Sequence, residues 1–526
     1  MDFPVLSLLI FTPLFFALLV LILPKQYQNY YKWINLTSAS ILFLISSWVY
    51  TQYPSHLTGI QDVKSFFLVE KVSWISLSLG SLGKIQIDYF LGLDSLNLSI
   101  VLLASFVLWI GSLASWNIEN KQKGYFALYL VLSASVIGSF CALDFFLFYL
   151  FFEFMLLPMY FLIGIWGGER REYASIKFFL YTLTGSILIL IAMIALYMSV
   201  KSPENGYYTF NLLDMTKNQN FVSNSLLSIE NQNLIAGFSP RFWAFWLLVV
   251  GFLIKIPAVP FHTWLPDAHV EAPTAISVVL AGILLKIGGY GILRIAYPIF
   301  PEIAVQYSYW IAFLGVFSII YGALNALAQQ DLKKMVAYSS ISHMGFVLLG
   351  IGSLNAEGIN GAIFQMFSHG ILSAMLFVIV GVLYDRTHSR KIEDFKGLLG
   401  AIPVYGTFVS IAFFASLGLP LFSGFIGELF SVMGGFQSIV LPIWMPILAT
   451  IGIILGAGYF LWTLQKMFLG KLWLKNTEWQ LQDVNRRELL MLSIMASMSL
   501  MIGILPQQIF QNTQQGVITL LQLLKI

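Results

Sequence analysis

The amino-acid sequence predicts an all-α polytopic membrane protein of about fourteen transmembrane helices, built around two inverted five-helix repeats that each contain a broken helix. Three observations carry that prediction. Apolar residues make up 58% of the 526 residues and charged residues only 10%, against ~25% charged in ordinary soluble domains; mean hydropathy is +0.81. Apolar runs long enough (~20 residues at 1.5 Å rise) to cross a ~30 Å hydrocarbon core recur from one end to the other. Two of those runs are interrupted by proline and glycine beside an ionisable residue.

The first run, 4–23, follows Met1-Asp2-Phe3-Pro4 and lacks the basic start of a signal peptide, so it reads as a span. The others lie at 33–50, 94–116, 125–142, 145–166, 174–200, 242–260, 273–295, 303–325, 335–353, 360–384, 402–435, 442–465 and 490–512. Only 51–93 and 201–241 are long polar connections. Ser76-Leu77-Ser78-Leu79 and Ile85-Gln86-Ile87-Asp88 alternate around Gly80 and Gly83, which suits a small surface hairpin. The chain divides into 1–124 (three spans and the hairpin), 125–295 (first repeat), 303–466 (second repeat) and 467–526 (last span).

Lys and Arg concentrate in connections after odd-numbered spans, among them Lys121, Lys123, Arg170, Arg171, Lys333, Lys334, Arg386, Arg390, Arg486 and Arg487. By the positive-inside rule those connections face the cytoplasm, and both termini face the opposite side. A single cysteine, Cys141, cannot make a disulfide, a zinc ribbon or an iron–sulfur site. Neither G-x-G-x-x-G after a strand nor G-x-x-x-x-G-K-[ST] occurs, so no redox or ATP chemistry is expected on this chain. A net charge of +3 gives no case for nucleic acid.

Lys255 and Lys286 lie in no loop. A charge mid-bilayer costs at least ~2.5–3.5 kcal/mol on insertion scales, so such residues are functional candidates. With them stand Glu153, His343, His369 and Glu428. Glu153 has apolar helical neighbours and could serve as a neutral helix contact or as a partner for a lysine. Lys255 precedes Pro257 and Pro260, which must break its helix; it could titrate there or snorkel to the headgroups. Lys286 is about thirteen residues inside its span, with Gly282 and Gly289 on the same face for close helix approach. His343 and His369 could relay protons, hold structure by hydrogen bonds, or ligate a haem. Glu428 follows a second break at Pro420 and its flanking glycines. Breaks fall in the fourth span of each group of five, an inverted-repeat plan with sites near the midplane. Translocation of protons or cations is the reaction class that needs such a row.

The motifs Phe261-His262-Thr263-Trp264-Leu265-Pro266-Asp267-Ala268-His269-Val270-Glu271-Ala272-Pro273-Thr274, Asp331-Leu332-Lys333-Lys334 through Ser342-His343-Met344-Gly345, and Phe367-Ser368-His369-Gly370 resemble the antiporter-like subunits of complex I, the NAD(P)H:quinone oxidoreductases. The resemblance covers nearly everything beyond residue 90. The chain looks like the chain-4 (subunit M) type, because Glu428 stands where the chain-2 and chain-5 types have lysine. No long lateral helix is expected after the last span. The resemblance implies a gating pair, Glu153 with Lys255, a central carrier, Lys286, a relay through His343 and His369, and a distal site, Glu428, with His262 and Lys177 secondary. It implies no cofactor on this chain and partners among chain-2 and chain-5 type subunits, small membrane subunits and lipids. It places the chain in a bacterial inner or thylakoid membrane. Multisubunit cation/proton antiporters share the fold and are the alternative. His269-Val270-Glu271-Ala272 departs from the His-Gly-Glu-Ala of common photosynthetic sequences, and the 201–241 connection is longer than the family pattern.

Overall fold

The computed structural model describes residues 4–60, 62–78, 84–479 and 481–526. Among the described residues, twelve helices are long and apolar enough to cross a membrane. In hydrocarbon every backbone N–H and C=O must find an internal partner, so the apolar runs become helices. The spans expected at 242–260 and 402–435 are each divided. The first is Pro240–Lys255 followed by Trp264–Glu271, and the second is Pro403–Ser416 followed by Ser423–Gln437.

Each division is held by specific partners. Pro257 and Pro260 have no N–H to continue the first helix. Across that break the Trp264 indole donates to the Ile254 carbonyl at 2.9 Å, and the Val259 amide donates to Ser318 Oγ at 3.0 Å. At the second break Gly418 has φ +82, and a Cβ there would lie 2.8 Å from Glu428 Oε2. Only glycine allows the carboxylate that close.

The segment 274–299 departs from a uniform helix. π-helical turns at Leu280–Leu284 and Ile292–Ala296 flank the α-helical stretch Leu285–Gly291, which carries Lys286. This segment and Ala356–Thr387 are the two most enclosed in the bundle. A Cβ at Gly288 would lie 2.5 Å from the Phe252 carbonyl and 2.9 Å from the Ile256 amide, so the first break packs directly on the lysine's helix.

The surface connections are more ordered than alternation alone predicts. Strands Phe67–Ser78 and Lys84–Leu93 pair antiparallel, a hairpin longer than expected, with Leu79, Gly80 and Gly83 outside the described residues. Glu70 on this hairpin accepts from the amides of Leu6 (2.7 Å) and Ser7 (3.0 Å), a carboxylate on the N-terminus of helix Val5–Ile22. The connection after Tyr197 folds against the same face, where the Phe145 amide donates to the Phe210 carbonyl at 2.7 Å. At the C-terminal end the last span is Arg486–Ile504 and does not run to residue 512. Pro506 stops it, and a further helix, Gln507–Leu524, follows. Its Thr513 donates to Asn360 Oδ1 at 2.7 Å. The last span, expected over 490–512, is thus shorter, and the apolar face of the helix that follows it, including Val517 and Leu520, is buried.

Candidate functional site

Lys286 is fully buried. A π-turn moves an amide's partner from i−4 to i−5 and frees a carbonyl of its usual donor. Within the first π-turn the Ala281 carbonyl accepts from Lys286 Nζ. The same nitrogen shares a 2.8 Å hydrogen bond with His369 Nδ1, on the central helix Ala356–Thr387. No carboxylate pairs with Lys286 among the described residues, so the imidazole and a carbonyl are its polar surroundings. A proton can cross from lysine to histidine along one hydrogen bond.

From His369 the line continues. Its ring lies 5.7 Å, centroid to centroid, from that of His343. His343 Nδ1 is 2.9 Å from Glu428 Oε1. Both Nε2 atoms are buried with no protein partner, as are Gln365 Oε1 and Ser416 Oγ beside them. These groups line a cavity of about 10 Å³, together with Ser339, Ser340 and Ser368. That is room for about one water, with polar partners to hold it. Lys286, His369, His343 and Glu428 therefore form one nearly continuous line over four helices. The haem alternative for the two histidines finds no space for a macrocycle in that cavity.

Glu153 and Lys255 are not brought together as an ion pair. Glu153 is half-buried on helix Phe145–Phe154 and accepts from the Tyr149 hydroxyl at 2.9 Å. Tyr149 is thus its polar partner, where counting helical neighbours made the setting apolar. Lys255 is buried, with Nζ 4.6 Å from the centroid of the Phe152 ring. The cation rests on an aromatic face one residue away from the carboxylate it was expected to meet. Lys177 pairs with Asp267 at 2.7 Å, and His262 sits edge-on to Tyr321 at 4.9 Å. Neither hydrogen-bonds to the line.

Sequence reasoning missed three buried groups. Lys333, counted with a loop, is buried inside helix Leu332–Gly352 and donates to the Ala272 carbonyl at 2.5 Å. His269 is fully buried, stacked on Phe377 at 4.4 Å, with both ring nitrogens unpartnered. Arg294 forms a buried ion pair with Asp94, and its Nε donates to the Tyr290 hydroxyl at 3.1 Å. The i, i+4, i+8 spacing of Lys286, Tyr290 and Arg294 was the available signal. No cluster of three or more His, Cys, Asp or Glu suited to a metal occurs among the described residues.

A model of the family described as "NADH:quinone oxidoreductase/Mrp antiporter, TM" matches residues 142–456. The chain is 38% identical over 517 residues to NADH-quinone oxidoreductase subunit M of Rickettsia typhi, covering 97% of each chain. It is 40% identical over 478 residues to subunit M of Rhodobacter capsulatus, covering 90% of this chain and 87% of that one. A chain of respiratory complex I from Thermus thermophilus superposes with a TM-score of 0.82 at 27% identity, over 99% of both chains. With matches over nearly its full length, this multi-pass membrane chain belongs to the family of membrane subunits shared by NADH:quinone oxidoreductases and Mrp antiporters.

Proposed function

We propose that the chain is a proton-translocating membrane-arm subunit, of the subunit M (chain-4) type, in an NADH:quinone oxidoreductase. The observation that carries this reading is the hydrogen-bonded line Lys286–His369 and His343–Glu428, with room for one water between the imidazoles. Quinone chemistry occurs on other subunits and reaches this chain as a change of electric field. Lys255 is the group placed to receive it. With Nζ on the Phe152 ring, Lys255 can swing toward Glu153 or away, and its helix end touches the Lys286 helix at Gly288. Two unit charges ~4 Å apart at an effective dielectric of ~20 interact by about 4 kcal/mol. A swing of that size is enough to make Lys286 take up or release a proton, which His369, water, His343 and Glu428 pass on.

The reading includes fourteen membrane crossings, each divided span counting as one. The blocks 125–295 and 303–466 act as inverted repeats, and both termini lie on the non-cytoplasmic side. Chain-2 and chain-5 type subunits and small membrane subunits are the expected neighbours, in a respiratory membrane such as a bacterial inner membrane. The test is proton uptake by the assembled complex in vesicles, with quinone reduction followed in parallel. Lys286→Ala and Glu153→Gln should each abolish the uptake attributable to this subunit while the complex still assembles. Normal uptake in either variant would sink the relay.

The family description also names Mrp antiporters, which supports a second reading as a subunit of a cation/proton antiporter. That reading requires a sodium- or potassium-dependent collapse of ΔpH in vesicles given no quinone substrate.

A further inference from the structure

On the face that carries most of the loop lysines and arginines, three helix ends form an open groove of about 610 Å³. Its construction repeats on each wall. Trp33, Trp116 and Arg487 each have a leucine about one turn away on the same segment, Leu36, Leu113 and Leu490 respectively. Trp33 and Trp116 meet edge to face at 4.7 Å, and Lys32 Nζ sits 4.8 Å over the Trp116 ring. Paired tryptophans at helix ends are the usual mark of the headgroup region.

The polar end of the groove is basic, with Arg486 and Arg487 in its lining. Arg486 is exposed there, and Arg487, half-buried, donates to Asn117 Oδ1 at 3.0 Å. Of the neighbouring acids, Glu488 pairs with Arg386 at 2.6 Å, and Asp385 accepts at 3.2 Å from the Asn117 amide whose oxygen accepts from Arg487. Neither arginine forms an ion pair among the described residues. Guanidinium groups with free N–H donors recognise phosphate strongly, and basic pockets between membrane helices on the cytoplasmic side suit anionic headgroups.

We propose that this groove binds one anionic phospholipid, with its phosphate on Arg486 and Arg487 and an acyl chain along Leu36, Leu113 and Leu490. Zwitterionic lipids satisfy the phosphate contact but bring their own cation against Lys32 and the arginines, so anionic headgroups are preferred. The lipid closes the gap between the N-terminal spans and helix Arg486–Ile504.

The test uses the assembled complex with the photoreactive residue p-benzoylphenylalanine in place of Leu490, in nanodiscs of equal parts phosphatidylglycerol and phosphatidylcholine. After irradiation, mass spectrometry should find the peptide carrying position 490 joined to phosphatidylglycerol several-fold more often than to phosphatidylcholine. Adding Arg486→Gln and Arg487→Gln should bring the two lipids to near equality while labelling continues. Equal labelling with both arginines present would overturn the proposal. So would an adduct with another membrane subunit, which would make the groove a protein interface.

Discussion

The two divided helices use the same device and hold their ionisable partners differently. At the second break a carboxylate and an imidazole are in contact, Glu428 with His343 at 2.9 Å, and glycine at 418 clears the space for the carboxylate. At the first break the carboxylate and the ammonium are apart. Tyr149 holds Glu153, and the Phe152 ring carries Lys255. One pair is closed and the other open, although both lie beside a broken helix. A broken helix supplies freedom and polar backbone, and the aromatic residues around it decide whether the charges meet.

Substitutions can break or sharpen that contrast. The largest effect is expected at the closed end. Glu428→Gln keeps the shape and the hydrogen bond to His343 but cannot take a proton, so proton uptake should fall about tenfold or more with assembly unchanged. Vesicle acidification checks this. Gly418→Val comes next. It places a branched side chain at φ +82, with Cβ 2.8 Å from the Glu428 carboxylate. Destabilisation of about 1–3 kcal/mol should appear as a lowered melting temperature, together with loss of uptake.

At the open end, substitutions that leave Glu153 and Lys255 in place have smaller effects. Phe152→Leu removes a cation–π contact worth about 0.5–2 kcal/mol, and Lys255 should then reach Glu153 more often. Zero-length carbodiimide coupling between these two residues should rise several-fold over the unsubstituted complex; no rise would show that the ring does not hold them apart. Tyr149→Phe removes one hydrogen bond, worth about 0.5–1.5 kcal/mol. Uptake should change by at most several-fold, without effect on assembly.

Much of this was legible in the sequence, for physical reasons that also mark where legibility stops. Lys286, His343, His369 and Glu428 stand out because charged and imidazole groups in apolar runs are costly and rare. Pro257, Pro260 and Pro420 announced the breaks because proline lacks a donor. The π-turns around Lys286 left no such trace, since no residue type is required for an amide to shift by one carbonyl. The Phe152 wedge was equally hidden: Lys255 meets it from another helix, and helical spacing reports only neighbours on the same one. Lys333 looked like half of a loop dilysine, although its ammonium lies buried on the carbonyl of Ala272. The helix after Pro506 was absorbed into the preceding span because Ile504 and Leu505 continue its apolar run.

The central claim is that protons pass from Lys286 to Glu428 through the two imidazoles. It is tested most directly at His369, whose Nδ1 meets Lys286 and whose Nε2 faces the small cavity. His369→Phe keeps an aromatic ring of similar size in place and removes both nitrogens. In vesicles carrying the assembled complex, quinone reduction should persist while proton uptake attributable to this subunit is lost. Unchanged proton uptake per quinone reduced would contradict the account.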